Sequence, residues 1–238
     1  MKALRLKLFQ ETACYTKPFS RKVTETYPLP PYSVIKGMIH ALLHADRLIP
    51  MAISIQGNYE SKVVDYRKTY MVKKGPAFPI IMDGLSTAPN YSNAQMTSMP
   101  LYSHMLFHVE LLIHITAEES ILQQIFYSLS ASDSALSIGR YEDLAVLLDN
   151  PAFVEVKETD EVSIHQYSMY IPEKYVYNDL SLDGIPYQLN WTYEVINGIR
   201  QWRKIPSIYV TFPRFLNTET VLTEAFVDQD GHPVFWNI

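Results

Sequence analysis

The residues whose types and spacing best suit chemistry lie in the segment Thr26–Leu43, TYPLPPYSVIKGMIHALL. Its three prolines favour extended backbone up to Ser33, which we expect to cap a helix over about 34–45. Gly37 then lies inside that helix, where glycine costs about 1 kcal/mol relative to alanine. Lys36 places a positive charge in the first turn, which the helix dipole disfavours. An anion at the start of the helix would explain both residues, and a nucleic-acid phosphate is the obvious candidate.

A second segment with possible phosphate-binding chemistry is Ala135–Leu147, ALSIGRYEDLAVL. Gly139 permits a positive φ or the close approach of a ligand to the backbone. Arg140 offers two parallel donors to a phosphate. By itself this pair is equally consistent with a turn that carries a solvated arginine.

Together the two segments resemble the CRISPR-associated Cas-five family, the subunit that caps the 5′ end of the guide RNA in Cascade complexes. The residues that carry the resemblance are Thr26-Tyr27-Pro28, Pro30-Pro31, Ser33 and Gly37-Met38, then Ser137-Ile138-Gly139-Arg140 followed by Glu142-Asp143. Their order and spacing match the family, although the second segment has fewer glycines than a developed phosphate cradle.

The resemblance implies a subunit that holds the 5′ handle of the crRNA and docks it to the Cascade backbone subunit and the large subunit for antiviral DNA interference. The overall pattern is most similar to type I-B systems. Whether target DNA near its flanking motif is also contacted stays open. We expect no catalytic residue, no cofactor, no metal ion and no membrane association.

Charge is unevenly distributed along the 238 residues. Residues 1–74 hold 13 lysines and arginines against 5 acidic residues, whereas residues 75–199 hold 3 against 16. The net charge of −5 therefore conceals a basic first third, and nucleic-acid binding requires a basic patch rather than a basic chain. We expect the acidic middle to face solvent or a protein partner.

Hydrophobic periodicity predicts an α+β fold. Helices are predicted over about 34–45 and 118–130, and strands over 2–9, 52–59, 63–72, 106–116 and 152–157, with short strands such as 207–212 after residue 160. This order suits a ferredoxin-like, RNA-recognition-motif-like (RAMP-type) domain over 1–159. We predict a protruding β-hairpin thumb at about 52–74 and a β-rich C-terminal subdomain over 160–238.

RNA contacts are expected on the open face of the first strand, on the two glycine segments and on the thumb, through backbone contacts and stacking. The candidate RNA-binding residues are Arg5, Lys7, Tyr27, Ser33, Lys36, Gly37, Arg67, Lys68, Tyr70, Lys73, Lys74, Gly139 and Arg140. The thumb tyrosines could equally pack on its own stem, and its lysines could simply protect an edge hairpin.

Two alternatives stay open. The first is a metal-independent endoribonuclease that processes pre-crRNA, an activity that the resemblance implies for some relatives. Its site would bring together Tyr27, Tyr32, Lys36 and His40. These residues match no catalytic trio position by position, so we favour binding without catalysis. The second is a ferredoxin-like protein-interaction module without RNA, whose cations would point in different directions.

Composition excludes several other classes. Cys14 is the single cysteine, which rules out an internal disulfide and a cysteine-rich zinc site. His40 and His44 lie four residues apart, but no acidic or cysteine ligand falls in register with them, so no metal site is predicted. Phosphate-loop and hydrolase motifs are missing. The apolar runs are too short for a membrane span and the N-terminus reads as a strand, so we expect a cytoplasmic protein.

Overall fold

The computed structural model describes residues 1–20, 22–72, 96–131, 135–177 and 182–238. Its elements are β1 (Lys2–Ala13), β2 (Val23–Thr24), α1 (Tyr32–Leu42), β3 (Met51–Val72), β4 (Met96–Ala117), α2 (Glu119–Ala131), β5 (Leu136–Ser137), β6 (Leu144–Leu147), β7 (Ala152–Thr159), β8 (Glu161–Ile164), β9 (Ser168–Pro172), β10 (Ile185–Ile196), β11 (Ile199–Val210), β12 (Arg214–Asn217) and β13 (Ala225–Asp228).

One large sheet organises the described residues, and it is almost entirely antiparallel. Its strands follow the order β10-β11-β9-β3-β4-β1-β6-β5, with β7 also paired to β1 and β13 paired to β7. Only the short β2 runs parallel to its partner, β4. A separate pair, β8 with β12, lies outside this path. The molecule therefore has the predicted α+β composition.

Both helices pack against this sheet and against each other. α1 contacts β3 and β10, whereas α2 contacts β1 and β4. Alternation along β1 buries Leu4, Leu6 and Leu8 completely, as the period of two predicts. On α2, Leu122 and Ile125 are buried at the predicted helical spacing. In the described part of the chain, neither helix is long and apolar enough to cross a membrane.

Strands β3 and β4 extend beyond the sheet as a two-stranded ribbon, Val63–Val72 with Met96–Met105. The two strands pair from Met51 with Ala117 to Val72 with Met96. β1 covers β4 only as far as Leu106, and within the ribbon only the two-residue β2 pairs with β4, at Tyr102 and Ser103. The prediction of a hairpin formed within residues 52–74 is therefore wrong. Residues 51–72 are a single strand, and β4 is the second strand of the hairpin. Polar residues 60–62 do not turn the chain; they precede the point where the strand leaves the sheet.

Residues after 160 have an apolar core of their own and also extend the main sheet. That second core contains Val162, Ile164, Met169, Ile171, Val210, Leu216 and Phe235, among others. β9 pairs with β3 at Gln56 and Gly57, and β11 and β10 continue the sheet beyond β9. β10 and β11 form a long hairpin around Asn197 and Gly198, which both have positive φ. Short strands at 163–171 and 207–212 were predicted in this region, whereas the long hairpin was not.

Candidate nucleic-acid interface

Helix α1 begins earlier than predicted and without the predicted cap. Its first residue is Tyr32, preceded by Pro31 with φ −58° and ψ 152°, and no side chain caps the first turn. The Tyr32 ring is fully buried and anchors this turn in the core, which moves the helix start ahead of Ser33. The prediction that Ser33 is the N-cap is wrong; it lies half-buried within the first turn.

Gly37 is exposed on α1 and has open space around it. A Cβ atom placed there would have no heavy atom within 4 Å. Packing within the chain therefore does not require glycine, although glycine costs about 1 kcal/mol in a helix interior. Close approach of another molecule's backbone would require it.

Two clefts open on either side of this glycine, and Ser33 and Gly37 line both of them. The first cleft, of about 440 Å³, lies between α1 and residues 135–139. The second cleft, of about 550 Å³, lies between α1, residues 45–48 and the hairpin β10–β11. The two segments that the sequence singled out thus face each other across the first cleft, with Gly139 in its wall.

Gly139 and Arg140 are held tightly by contacts within the chain. Gly139 has a positive φ, 113°, which is one of the two roles predicted for it, and a Cβ there would lie 2.8 Å from Asp143 Oδ2. Arg140 donates from Nη2 to Asp143 Oδ1 at 2.7 Å and from Nε to Asp143 Oδ2 at 3.1 Å. Asp143 is buried and also accepts the backbone N–H of Cys14 at 3.0 Å. The guanidinium fork expected to bind phosphate is therefore occupied by a carboxylate.

Arg5 and Lys7 lie on the sheet face that we expected to be open, and carboxylates meet both. Arg5 Nη1 donates to Asp228 Oδ2 at 2.7 Å and to Asp230 Oδ2 at 2.5 Å. Lys7 Nζ lies 3.6 Å from Asp149 Oδ2. Since the C-terminal residues supply the partners of Arg5, this arginine joins the two halves of the chain.

Asp228 is the centre of that junction. Burial opposes its ionisation, but hydrogen bonds from His114, the His232 backbone and Arg5 outweigh burial and hold the pKa of Asp228 well below its usual range. His114 is itself fully buried, and burial lowers its pKa despite the 3.1 Å contact with Asp228. A neutral His114 that donates from Nε2 fits these contacts.

Lys36 is buried and reaches away from any first-turn anion. Its Nζ donates to the backbone oxygen of Trp191 at 2.6 Å and lies 4.8 Å from the centre of the Trp191 ring. Burial lowers the pKa of this amine. Lys36 therefore fastens α1 to β10, and a substitution there would disturb packing as well as charge.

The side chains that the endoribonuclease alternative requires are also engaged internally. Tyr27 and Tyr32 are buried, and burial raises the pKa of each phenol. His40 Nδ1 donates to the Lys36 carbonyl at 2.8 Å, while His40 Nε2 accepts the Ile49 N–H at 3.0 Å. Because a carbonyl only accepts and an amide N–H only donates, these contacts fix a neutral imidazole with both nitrogens occupied.

The ribbon presents the remaining predicted residues at the surface. Arg67 donates to Asp65 at 2.6 Å and Lys68 Nζ lies 5.3 Å from the Tyr70 ring centre. Tyr70 is 57% exposed. Lys73 and Lys74 lie outside the described residues. Within those residues, no group of three His, Cys, Asp or Glu side chains could hold a metal ion.

The second cleft has an aromatic and cationic wall that sequence reasoning missed. Tyr193 and Trp202 are paired across β10 and β11, with ring centres 5.0 Å apart. The Arg200 guanidinium lies 4.6 Å from the Tyr193 ring centre. Asn197-Gly198 between two alternating segments is a strong hairpin signal, and it would have predicted these cross-strand neighbours.

Comparisons with known proteins agree with this architecture. The family model described as CRISPR-associated protein (Cas_Cas5) matches residues 3–202. A solved structure entitled CRISPR RNA-guided surveillance complex contains a chain 13% identical to this one, with a TM-score of 0.55 and coverage of 89% of this chain and 91% of that chain. At 13% identity, this structural similarity shows that the two chains share a fold.

Two further solved structures are similar over most of the chain. A CRISPR protein from Archaeoglobus fulgidus is 12% identical with a TM-score of 0.45 and 98% coverage of both chains. A chain of the type III-B Cmr-beta complex, bound to cognate target RNA and AMPPnP, is 9% identical with a TM-score of 0.41, covering 93% of this chain and 86% of that chain. No curated protein sequence matches significantly. The match of the family model over residues 3–202 shows that this chain belongs to the Cas-five family of CRISPR-associated proteins.

Proposed function

We propose that this chain is the RNA-binding subunit of a type I CRISPR effector complex, which holds the 5′ handle of the crRNA across α1. The observation that carries the proposal is the open space around Gly37, between two clefts, in a protein of this family. An RNA backbone that crosses α1 at Gly37 can approach the helix closely, because glycine has no Cβ. One base would then lie over each of the two clefts. Single-stranded RNA is commonly bound in this way, through backbone contacts and splayed bases.

The contacts of the predicted cations change the details of the proposal. Arg5, Lys36 and Arg140 have partners inside the chain, so they shape the surface rather than bind phosphate directly. Backbone groups of α1 and exposed residues of the hairpin β10–β11 and of the ribbon then provide the contacts. Lys68 and Tyr70 on the ribbon remain in position for RNA or for the neighbouring backbone and large subunits.

We infer that residues 1–159 form a ferredoxin-like domain. β7, β1, β4 and β3 lie side by side in that order, and α1 and α2 pack on them. This is the β-α-β-β-α-β arrangement of ferredoxin-like folds, in which the two halves of the repeat interleave in one sheet. The ribbon is then an elongation of the central β3–β4 hairpin.

Binding without cleavage is the better supported activity. General acid–base cleavage of RNA needs a side chain that can exchange a proton with the 2′-OH or the leaving oxygen. The ring nitrogens of His40 are both hydrogen-bonded to backbone, and Tyr27 and Tyr32 are buried. We therefore propose that a separate nuclease processes the repeat RNA.

The test uses the full chain, end-labelled repeat RNA, and EDTA in the buffer. Gly37→Glu places a charged side chain between the clefts, and Gln124→Glu on the exposed face of α2 is the matched control. We expect salt-sensitive binding of intact RNA that Gly37→Glu weakens at least tenfold and Gln124→Glu leaves unchanged. A discrete RNA cut that persists in EDTA would favour the endoribonuclease. Equal affinity of both variants would remove α1 from the interface.

A further inference from the structure

The second cleft lies on the side of α1 away from Gly139 and Arg140, and its walls come from both halves of the chain. α1 supplies Gly37 and His40, residues 45–48 supply Arg47, and the hairpin β10–β11 supplies Tyr193, Arg200 and Trp202. Its volume of about 550 Å³ is within the range of small-molecule sites.

Its aromatic wall is exposed in a way that packing within the chain does not explain. Tyr193 is 43% exposed and Trp202 is 36% exposed, although both are large rings that gain stability from burial. The two rings meet edge to face at 61°, so each supports the other while part of its surface remains free. A rigid, partly exposed aromatic pair is the kind of platform on which a base stacks.

The charge at this cleft suits a nucleotide. Arg47 and Arg200 are exposed, and neither forms an ion pair with any residue in the described part of the chain. Asp46 supplies a carboxylate to the same wall. Arg200 lies over one face of Tyr193 and presents a planar cation there, which stacks well on bases and pairs with phosphate.

The cleft is reached directly from the surface at Gly37. Ser33 and Gly37 lie one helical turn apart and line both clefts, so α1 forms the ridge between them. A chain that crosses this ridge places one residue over the first cleft and its neighbour over the second. A single-stranded nucleic acid carries a flat aromatic base on each residue, so it can use both the ridge and the platform.

We propose that the second cleft binds one unstacked base of the guide RNA, stacked against Tyr193 and Trp202, with Arg200 and Arg47 on its phosphates. The inference rests on the proposed function, because it assumes that the handle crosses α1. It adds the hairpin β10–β11 to the RNA-binding surface and assigns it the recognition of a single nucleotide.

A combined abasic scan and substitution tests the proposal. The affinity of the full chain is measured by fluorescence anisotropy for handle RNAs that lack one base at each position in turn. We expect removal of the base at one position to lower the affinity of the unmodified protein about 5- to 150-fold, the range for stacking one base on an aromatic side chain. Trp202→Ala should cause a similar loss on intact RNA and abolish the further loss at that position. Trp202→Phe should restore most of the affinity.

Control variants separate stacking from disruption of the hairpin. Tyr127→Ala removes an aromatic side chain that is 68% exposed on α2, outside both clefts, and should change nothing. Arg200→Ala keeps both rings and should weaken binding by a smaller factor, with more dependence on salt. If Trp202→Ala unfolds the hairpin, as near-ultraviolet circular dichroism would show, Trp202→Phe and Arg200→Ala still carry the test.

Four results would overturn the inference. Unchanged affinity in both Trp202→Ala and Arg200→Ala would exclude the hairpin while leaving an effect of Gly37→Glu intact. If Trp202→Ala lowers the affinity by the same factor for every abasic RNA, Trp202 does not stack on one particular base. A DNA strand of the same sequence that binds more tightly than RNA, with the same abasic position, would assign the cleft to DNA. No binding of handle RNA by the unmodified chain would overturn both proposals.

Discussion

Gly37 and Gly139 line the same cleft from opposite walls, and their surroundings differ. Gly139 has a positive φ and lies against Asp143 and the backbone of Cys14, so the fold itself requires glycine there. Gly37 has ordinary helical geometry and open space. Both belong to the segments that resemble the family. One glycine builds the wall of the cleft, and the other leaves room above the helix.

The charged residues of the two regions also differ: one arginine is paired within the chain, and the other is exposed. Around Gly139, Arg140 is neutralised by Asp143 and Glu142. Around Gly37, the neighbouring hairpin keeps Arg200 exposed beside two aromatic rings. The arginine beside a sequence motif is thus part of the architecture, whereas an arginine far along the chain faces the open cleft. Three predictions test this contrast, and a fourth tests the internal junction at Asp228.

Arg140→Ala should lower the free energy of unfolding by about 3–5 kcal/mol, because it leaves the buried Asp143 carboxylate without its main partner. Urea denaturation at pH 7 measures the change. Arg214→Ala is the control, since Arg214 pairs with Asp183 at the surface and should cost less than about 1 kcal/mol. Equally small losses would show that Arg140 is free to meet a ligand.

Gly139→Ala should destabilise the chain by about 1–3 kcal/mol, through the strain of a positive φ together with the contact to Asp143. Gly231→Ala provides the comparison, because Gly231 also has a positive φ, 87°, but no atom within 4 Å of the added Cβ. A larger loss at Gly139, measured by urea denaturation, isolates the cost of the contact. Equal losses of stability in the two variants would mean that Asp143 moves aside for the added methyl group at little cost.

Acidification should weaken the internal junction of Arg5, Asp228 and His114. Burial lowers the pKa of His114 and of His232, so below pH 6.5 the unfolded chain binds more protons than the folded one. Stability should fall with pH by at most about 1.4 kcal/mol per pH unit for each histidine. The lowered pKa of Asp228 adds a further loss below about pH 4.

Urea denaturation between pH 7 and pH 4 measures this slope. His232→Asn should flatten part of it, whereas His165→Asn, at an exposed position, should leave it unchanged. A stability that stays constant down to pH 5 would contradict the lowered pKa of these two histidines.

Gly37→Ala should have the smallest effect on stability and the opposite sign. Removing glycine from an exposed helix position, with no contact for the new methyl group, should raise the free energy of unfolding by up to about 1 kcal/mol. The same substitution should lower RNA affinity several-fold if a backbone lies on α1. A variant that is more stable and binds RNA equally well would break the contrast between the two glycines.

Local sequence patterns predicted which face of a strand or helix is buried. Alternation in β1 and the helical spacing of α2 identified buried faces correctly, because each depends only on which side of the element is apolar. The Arg140–Asp143 pair was also within reach of the sequence, since the two residues lie three apart and the acidic residue was part of the segment. The start of α1 was placed late because Tyr32 is drawn into the core.

The α+β composition, the family and the segments that border the first cleft can all be read from the sequence. Which cations are available depends on the three-dimensional fold, since Lys36 meets Trp191 across 155 positions and Arg5 meets Asp228 across 223. The same fold joins residues 51–72 in one strand and places β10–β11 facing α1. Charge and polarity are local properties of a residue, but exposure and ion pairing depend on what the rest of the chain places beside it.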